Sequence, residues 1–200
     1  MGNIQKVELI TIGVSHGGLE ALTEIFSRLS PNFKIPVIVI YHRSVDSDWN
    51  FLNEYFSRHT LSKIFEVSDS DKIEPGCIYF ATGGYHLLLE NKDTMILNLD
   101  DRINYSRPSI DIFFDSASQT YTDKLMGILL TGANTDGAEG LCKIARAGGY
   151  TVVQDPAEAI SPVMPQAAIN ICGAELDAVA SLKNISEIMN NADTFHRIKK

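Results

Sequence analysis

The chain has 200 residues, 44% of them apolar and 21% charged, with a net charge of −8. That length suits one domain burying about 70% of its unfolded surface. The acidic balance argues against nucleic acid, since phosphate binding needs a basic face, and no apolar run reaches the ~18 residues that signal a membrane-spanning helix.

In chain order, strand-like and helix-like segments alternate. Residues 7–14 (VELITIGV) form a short apolar run rich in β-branched residues that ends beside glycine. Residues 18–29 place Leu19, Leu22, Ile25, Phe26 and Leu29 on one helical face. Residues 35–42 (IPVIVIYH) read as a strand covered on both faces, 48–59 as a helix and 63–68 as a strand. Three short strand-like pieces over 76–99 predict an antiparallel insertion. Residues 109–121 read as a helix with Ser109 as N-cap, and 125–132 (LMGILLTG) as a buried strand. A helix closing on a glycine C-cap follows at 136–149. The alternation continues through 150–155, a helix begun by Met164-Pro165, 175–180 and 182–195. The pattern predicts an α/β fold: a doubly wound, mostly parallel sheet with helices on both faces and a small antiparallel hairpin insertion, in one domain spanning 1–200. In such sheets ligands bind beyond the carboxyl ends of the strands.

The first apolar run ends at Ser15, the second at His42, and the run at 125–132 leads to Asp136. A hydroxyl, an imidazole and a carboxylate on one edge are the groups that acyl transfer needs. The hydroxyl attacks, the imidazole takes its proton, and the carboxylate fixes the imidazole tautomer. Gly13-Val14-Ser15-His16-Gly17 also reads as G-x-S-x-G. The motif alone leaves other readings open, because a serine before a helix also serves as a cap. The order Ser, His, acid departs from the α/β-hydrolases, and Ser15 follows the first strand, leaving no room for that fold's upstream strands. Neither the P-loop pattern nor G-x-G-x-x-G is present.

Five blocks, IGVSHGGLEAL, VIVIYH, YFATGGYHLLLE, RPSIDIFFDSA and GILLTGANTDGAEGL, resemble in order and spacing the catalytic domain of the chemotaxis protein-glutamate methylesterase (CheB) family. The resemblance runs from about residue 7 to residue 172. It implies hydrolysis of glutamate γ-methyl esters, and deamidation of particular glutamines, on the cytoplasmic signalling domain of a chemoreceptor. By position Ser15 is the nucleophile, His42 the base and Asp136 the orienting acid, with no metal or cofactor and a cytoplasmic location. The usual N-terminal receiver domain has no counterpart here, so regulation is expected to be absent or to come from a separate response regulator. His16 stands where the family usually has Thr, Thr82 where it has Pro, and Ala133 where Met is common. These departures leave a different ester or amide substrate open, as well as a non-catalytic module that docks on receptors.

The backbone amides near His16 and Ala133 are expected to hold the oxyanion, with Gly17 allowing the sharp turn. His16 is a rival base. A side chain next to the nucleophile on a helix's first turn points away from it, which favours His42. Arg107 is a candidate for substrate positioning. His86 is read as structural, His59 and His196 as solvated, and Asp100, Asp101, Asp111 and Asp115 as surface carboxylates. Asn134 and Thr135 are expected to shape the turn that aims Asp136. Cys77, Cys142 and Cys172 are odd in number and far apart, and read as buried free thiols of a reducing compartment. Gly2 lacks the Ser or Thr at position 6 that myristoylation wants; Lys6 stands there.

Overall fold

The computed structural model describes residues 6–103 and 106–194; Gly2, Phe195 and His196 lie outside them. The described residues form nine strands and six α-helices, alternating except for four successive strands in the middle: β1 (Leu9–Val14), α1 (Gly18–Phe26), β2 (Val37–Tyr41), α2 (Trp49–Ser57), β3 (Lys63–Glu66), β4 (Cys77–Phe80), β5 (His86–Asn91), β6 (Thr94–Asn98), α3 (Ile110–Tyr121), β7 (Leu125–Leu129), α4 (Ala138–Arg146), β8 (Tyr150–Gln154), α5 (Val163–Cys172), β9 (Ala178–Ala180) and α6 (Leu182–Asn190). Seven strands form one parallel sheet in the order β3-β4-β2-β1-β7-β8-β9. The chain first winds leftward from β1 to β2 and later returns to β1's other side with β7. The topological switch therefore falls at β1, where ligands enter such sheets.

Alternation of side chains sorts the core into two layers. Ile10, Ile12 and Val14 of β1, Val37 and Val39 of β2, and Met126 and Ile128 of β7 pack with Leu22, Ile25 and Phe26 of α1, Leu52 and Phe56 of α2, and Ile185 and Met189 of α6. Leu9, Ile38, Ile40, Leu125 and Leu129 face the other way, onto α3, α4 and α5. On that side β1 also presents Gly13, where an added Cβ would come within 2.4 Å of Ile110 Cγ2. The missing side chain lets the N-terminus of α3 approach the carboxyl end of β1.

Two expectations need correction. Cys77–Phe80 is not part of an antiparallel insertion. All four residues are buried, and they form a parallel strand between β2 and β3. Among the named strands of the described residues only β5 and β6 pair antiparallel, with Leu87, Leu89 and Met95 buried in the α3 layer. The cysteines also differ from the expected three free thiols. Cys142 of α4 and Cys172 of α5 form a disulfide with Cα atoms 5.3 Å apart, and only Cys77 is free. The 30 residues that separate them in sequence concealed a pair that packing of α4 on α5 brings together.

Phe56 anchors the first layer. It is fully buried, edge-on to Phe26 with ring centroids 5.6 Å apart, and stacked on Phe80 at 5.3 Å. Phe56→Ala leaves a cavity that α2 cannot fill. Equilibrium urea unfolding should show a loss of about 3–5 kcal/mol.

Candidate active site

Ser15 and His42 stand one residue beyond the carboxyl ends of β1 and β2. Val14 pairs with Tyr41, and the His42 N–H continues that ladder by donating to the Val14 carbonyl at 3.1 Å. On the other side the Ser15 N–H donates to the Thr131 carbonyl at 3.0 Å, just past β7. The two catalytic candidates are thus neighbours across a strand spacing of roughly 4.8 Å. The Ser15 hydroxyl forms no hydrogen bond with the described residues.

Thr131 shapes the turn that follows Ser15. Its hydroxyl donates to the His16 carbonyl at 2.8 Å and accepts from the Ser161 N–H at 2.8 Å, while its own N–H goes to Gln154 Oε1. Gly17 adopts a left-handed φ of 81°, and an added Cβ would meet Ile160 Cβ at 2.6 Å, so both backbone and space call for glycine there. Gly17 is the N-cap of α1. Among the described residues the N–H groups of His16, Gly17 and Ala133 have no internal acceptor. The His16 side chain is exposed, as is Ala133.

The imidazole and the carboxylate meet: His42 Nε2 lies 2.7 Å from Asp136 Oδ2. Asp136 is completely buried. Its two oxygens accept from the Ser109 hydroxyl at 2.9 Å, the Ile110 N–H at 2.8 Å and the Asp111 N–H at 3.1 Å. The carboxylate therefore sits on the N-terminus of α3, where free N–H groups and the helix dipole favour negative charge. Burial raises its pKa, but the hydrogen bonds from His42, Ile110 and Asp111 outweigh burial and hold the carboxyl below its usual range. An ionised carboxylate can only accept, so the proton between the two belongs to His42 Nε2. Asn134 caps the turn as expected, its side-chain oxygen accepting from the Asp136 N–H at 3.2 Å.

Arg43 secures the strand end that carries His42. Its guanidinium bonds Glu66 and the Ala81 carbonyl and lies 5.5 Å over the Trp49 ring. His86 is buried, with Nε2 donating to the Asp101 carbonyl at 3.0 Å and Nδ1 accepting from the Ser109 N–H at 3.2 Å. Arg107 directs Nη1 to the carbonyls of Leu99 and Asp100, each at 3.0 Å, so this donor ties the end of the hairpin to the approach to α3. His59 is half-buried and bonded to the Tyr55 carbonyl at 2.9 Å, not freely solvated.

Asp111 corrects the reading as a surface carboxylate. Its Oδ1 accepts the Gly140 N–H at 2.7 Å on α4. Burial first, and then the nearby charge of Asp136, push its pKa up to about 6 against the opposing pull of the Gly140 amide. Ser109, Thr131, Arg43 and Asp111 were not singled out as site residues from sequence. The available signal was polarity at strand and helix ends inside otherwise apolar blocks.

A doubly wound α/β sheet with a hydroxyl, an imidazole and a buried carboxylate at its switch point has the layout of a hydrolytic enzyme. The CheB methylesterase family model matches residues 10–189, and the chain belongs to that family. It is 41% identical over 186 residues to a Leptospira interrogans protein described as a "putative protein-glutamate methylesterase/protein-glutamine glutaminase", covering 93% of this chain and 95% of that one. It is 35% identical to a protein-glutamate methylesterase/protein-glutamine glutaminase of Pseudomonas putida, covering 90% of this chain and 47% of that one, so it spans about half of that longer relative. The crystal structure of the Thermotoga maritima CheB methylesterase catalytic domain superposes with a TM-score of 0.86 at 28% identity, covering 92% of this chain and 98% of that one.

The two carboxylates should leave opposite pH signatures on stability. Asp136, with its lowered pKa, stabilises the fold above about pH 4, and that contribution is lost as pH falls through its native value. Asp111, with its raised pKa, stabilises below about pH 4 and loses that contribution as pH rises through about 6. In urea unfolding at several pH values, the deficit of Asp136→Asn relative to the parent should shrink below about pH 4. Asp111→Asn should instead gain on the parent between pH 4 and pH 7.

Proposed function

We propose that the chain is a cytoplasmic protein-glutamate methylesterase that removes methyl esters from glutamate side chains on a chemoreceptor signalling domain and deamidates receptor glutamines by the same route. The observation that carries the reading is the 2.7 Å bond between His42 Nε2 and the buried Asp136, one strand over from Ser15. Family membership supports it.

In this reaction His42 Nδ1 takes the Ser15 hydroxyl proton as Oγ attacks the ester carbonyl. The negative charge moves to the carbonyl oxygen, where the unspent amides of His16, Gly17 and Ala133 receive it. The tetrahedral intermediate collapses, His42 returns the proton to the methoxy oxygen, and methanol leaves. Water, deprotonated by the same Nδ1, then attacks the acyl-serine, and His42 returns that proton to the departing Ser15 Oγ as the glutamate carboxyl is released. With glutamine the leaving group is ammonia. Asp136 stays ionised throughout and stabilises the imidazolium. Arg107 supports the rim through its carbonyl contacts, and the His16 imidazole takes no part in proton transfer. A separate response regulator is the proposed source of control.

Methanol release from methylated receptor membranes tests the reading. Ser15→Ala and His42→Ala should each lower kcat by about 10⁴–10⁶-fold, while His16→Ala leaves a folded enzyme with turnover in the parent's range. A fluorophosphonate should add to Ser15. Absence of methanol release together with absence of the adduct would refute the hydrolase, and an adduct without methanol would refute only the substrate.

A further inference from the structure

We propose that Asp111 is a positioning residue of this site: seated on the N-terminus of α4, it holds the 133–137 loop so that Asp136 faces His42. The inference rests on the reading of His42 and Asp136 as a working pair.

The two helices exchange carboxylates. Asp136 comes from the loop that leads into α4, yet it accepts from Ile110 and Asp111 at the start of α3. Asp111 belongs to the first turn of α3, yet it accepts from Gly140 in the first turn of α4 at 2.7 Å. Gly137, the N-cap of α4, has no side chain to offer its own helix, so the acceptor arrives from α3. Gly140 lets the helices meet at that point. An added Cβ would lie 2.7 Å from Phe114 Cβ and 3.0 Å from Asp111 Cα. The crossed caps fix the start of α3 against the start of α4, and Asp136 is the short span between them.

Other charges surround Asp111 without replacing it. Asp115 of α3 is paired with Lys143 of α4 at 3.0 Å, and Glu139 of α4 lines the same shallow cleft together with Thr135. Asp136 faces Asp111 from the loop, with His42 behind it. Burial and Asp136 both disfavour ionised Asp111, while the Gly140 amide favours it, so this cap changes charge near pH 6.

The test compares Asp111→Ala, which removes the acceptor, with Asp111→Asn, which keeps an oxygen for Gly140 but no charge. The first readout needs no turnover: the downfield proton resonance of His42 Nε2–H in the folded full chain. It should be present in the parent, shifted or lost in Asp111→Ala, and restored in Asp111→Asn. The second is kinetic, on methylated receptor, well below each variant's unfolding temperature. In Asp111→Ala kcat should fall by about 10–100-fold with KM little changed, and Asp111→Asn should recover most of that loss and show an acid limb altered around pH 6. An unchanged Nε2–H resonance and unchanged kcat in folded Asp111→Ala would overturn the proposal. A parent inactive toward methyl esters would refute the functional reading alone, leaving the resonance to decide the role of Asp111.

Discussion

Everything at this site depends on one buried negative charge. An uncompensated carboxylate in the interior would protonate or destabilise the fold by several kcal/mol. Asp136 avoids this because four donors converge on it: the Ser109 hydroxyl, two amides at the start of α3, and His42. Three of the four are fixed by the helix itself. The fourth is the imidazole, and it is the only one whose orientation the carboxylate in turn controls. The charge that holds the histidine is held by a helix end.

That helix end has to be brought to the sheet edge, and the surrounding structure does so. Gly13 lets α3 close on β1. His86 receives the Ser109 N–H and fixes the chain entering α3. On the opposite flank Arg43 binds Glu66 and the Ala81 carbonyl, which steadies the backbone beyond His42. Thr131 and Gln154 do the same for the turn after Ser15. The parallel ladder from β2 through β1 to β7 sets the spacing of the three strand ends. The carboxylate then has to travel no further than one loop.

The repeating parts of this design were legible in the residues. Apolar runs closing on Ser15, His42 and the 132–136 turn pointed to the doubly wound sheet and to all three candidates, because a strand covered on both faces leaves a clear hydrophobic record. Ser109 was legible as an N-cap by its position, though not its second bond, which reaches 27 residues along the chain. What escaped depends on packing between distant segments. Cys77–Phe80 joined the parallel sheet because a short buried run has the same pattern in either pairing. Asp111 looked like a surface acid because helical position does not reveal that α4 lies over it. Cys142 and Cys172 share no local motif, and only the packing of α4 on α5 joins them.

In the proposed reaction Asp136 locks His42 as the Nε2–H tautomer and leaves Nδ1 free to accept the Ser15 proton. Nitrogen-15 chemical shifts of the His42 ring, measured on the folded chain at about pH 8, where a free imidazole is neutral, address it most directly. Nε2 should be protonated and pyrrole-like, and Nδ1 unprotonated and pyridine-like. A ring protonated at Nδ1, or two averaged shifts from exchanging tautomers, would contradict it.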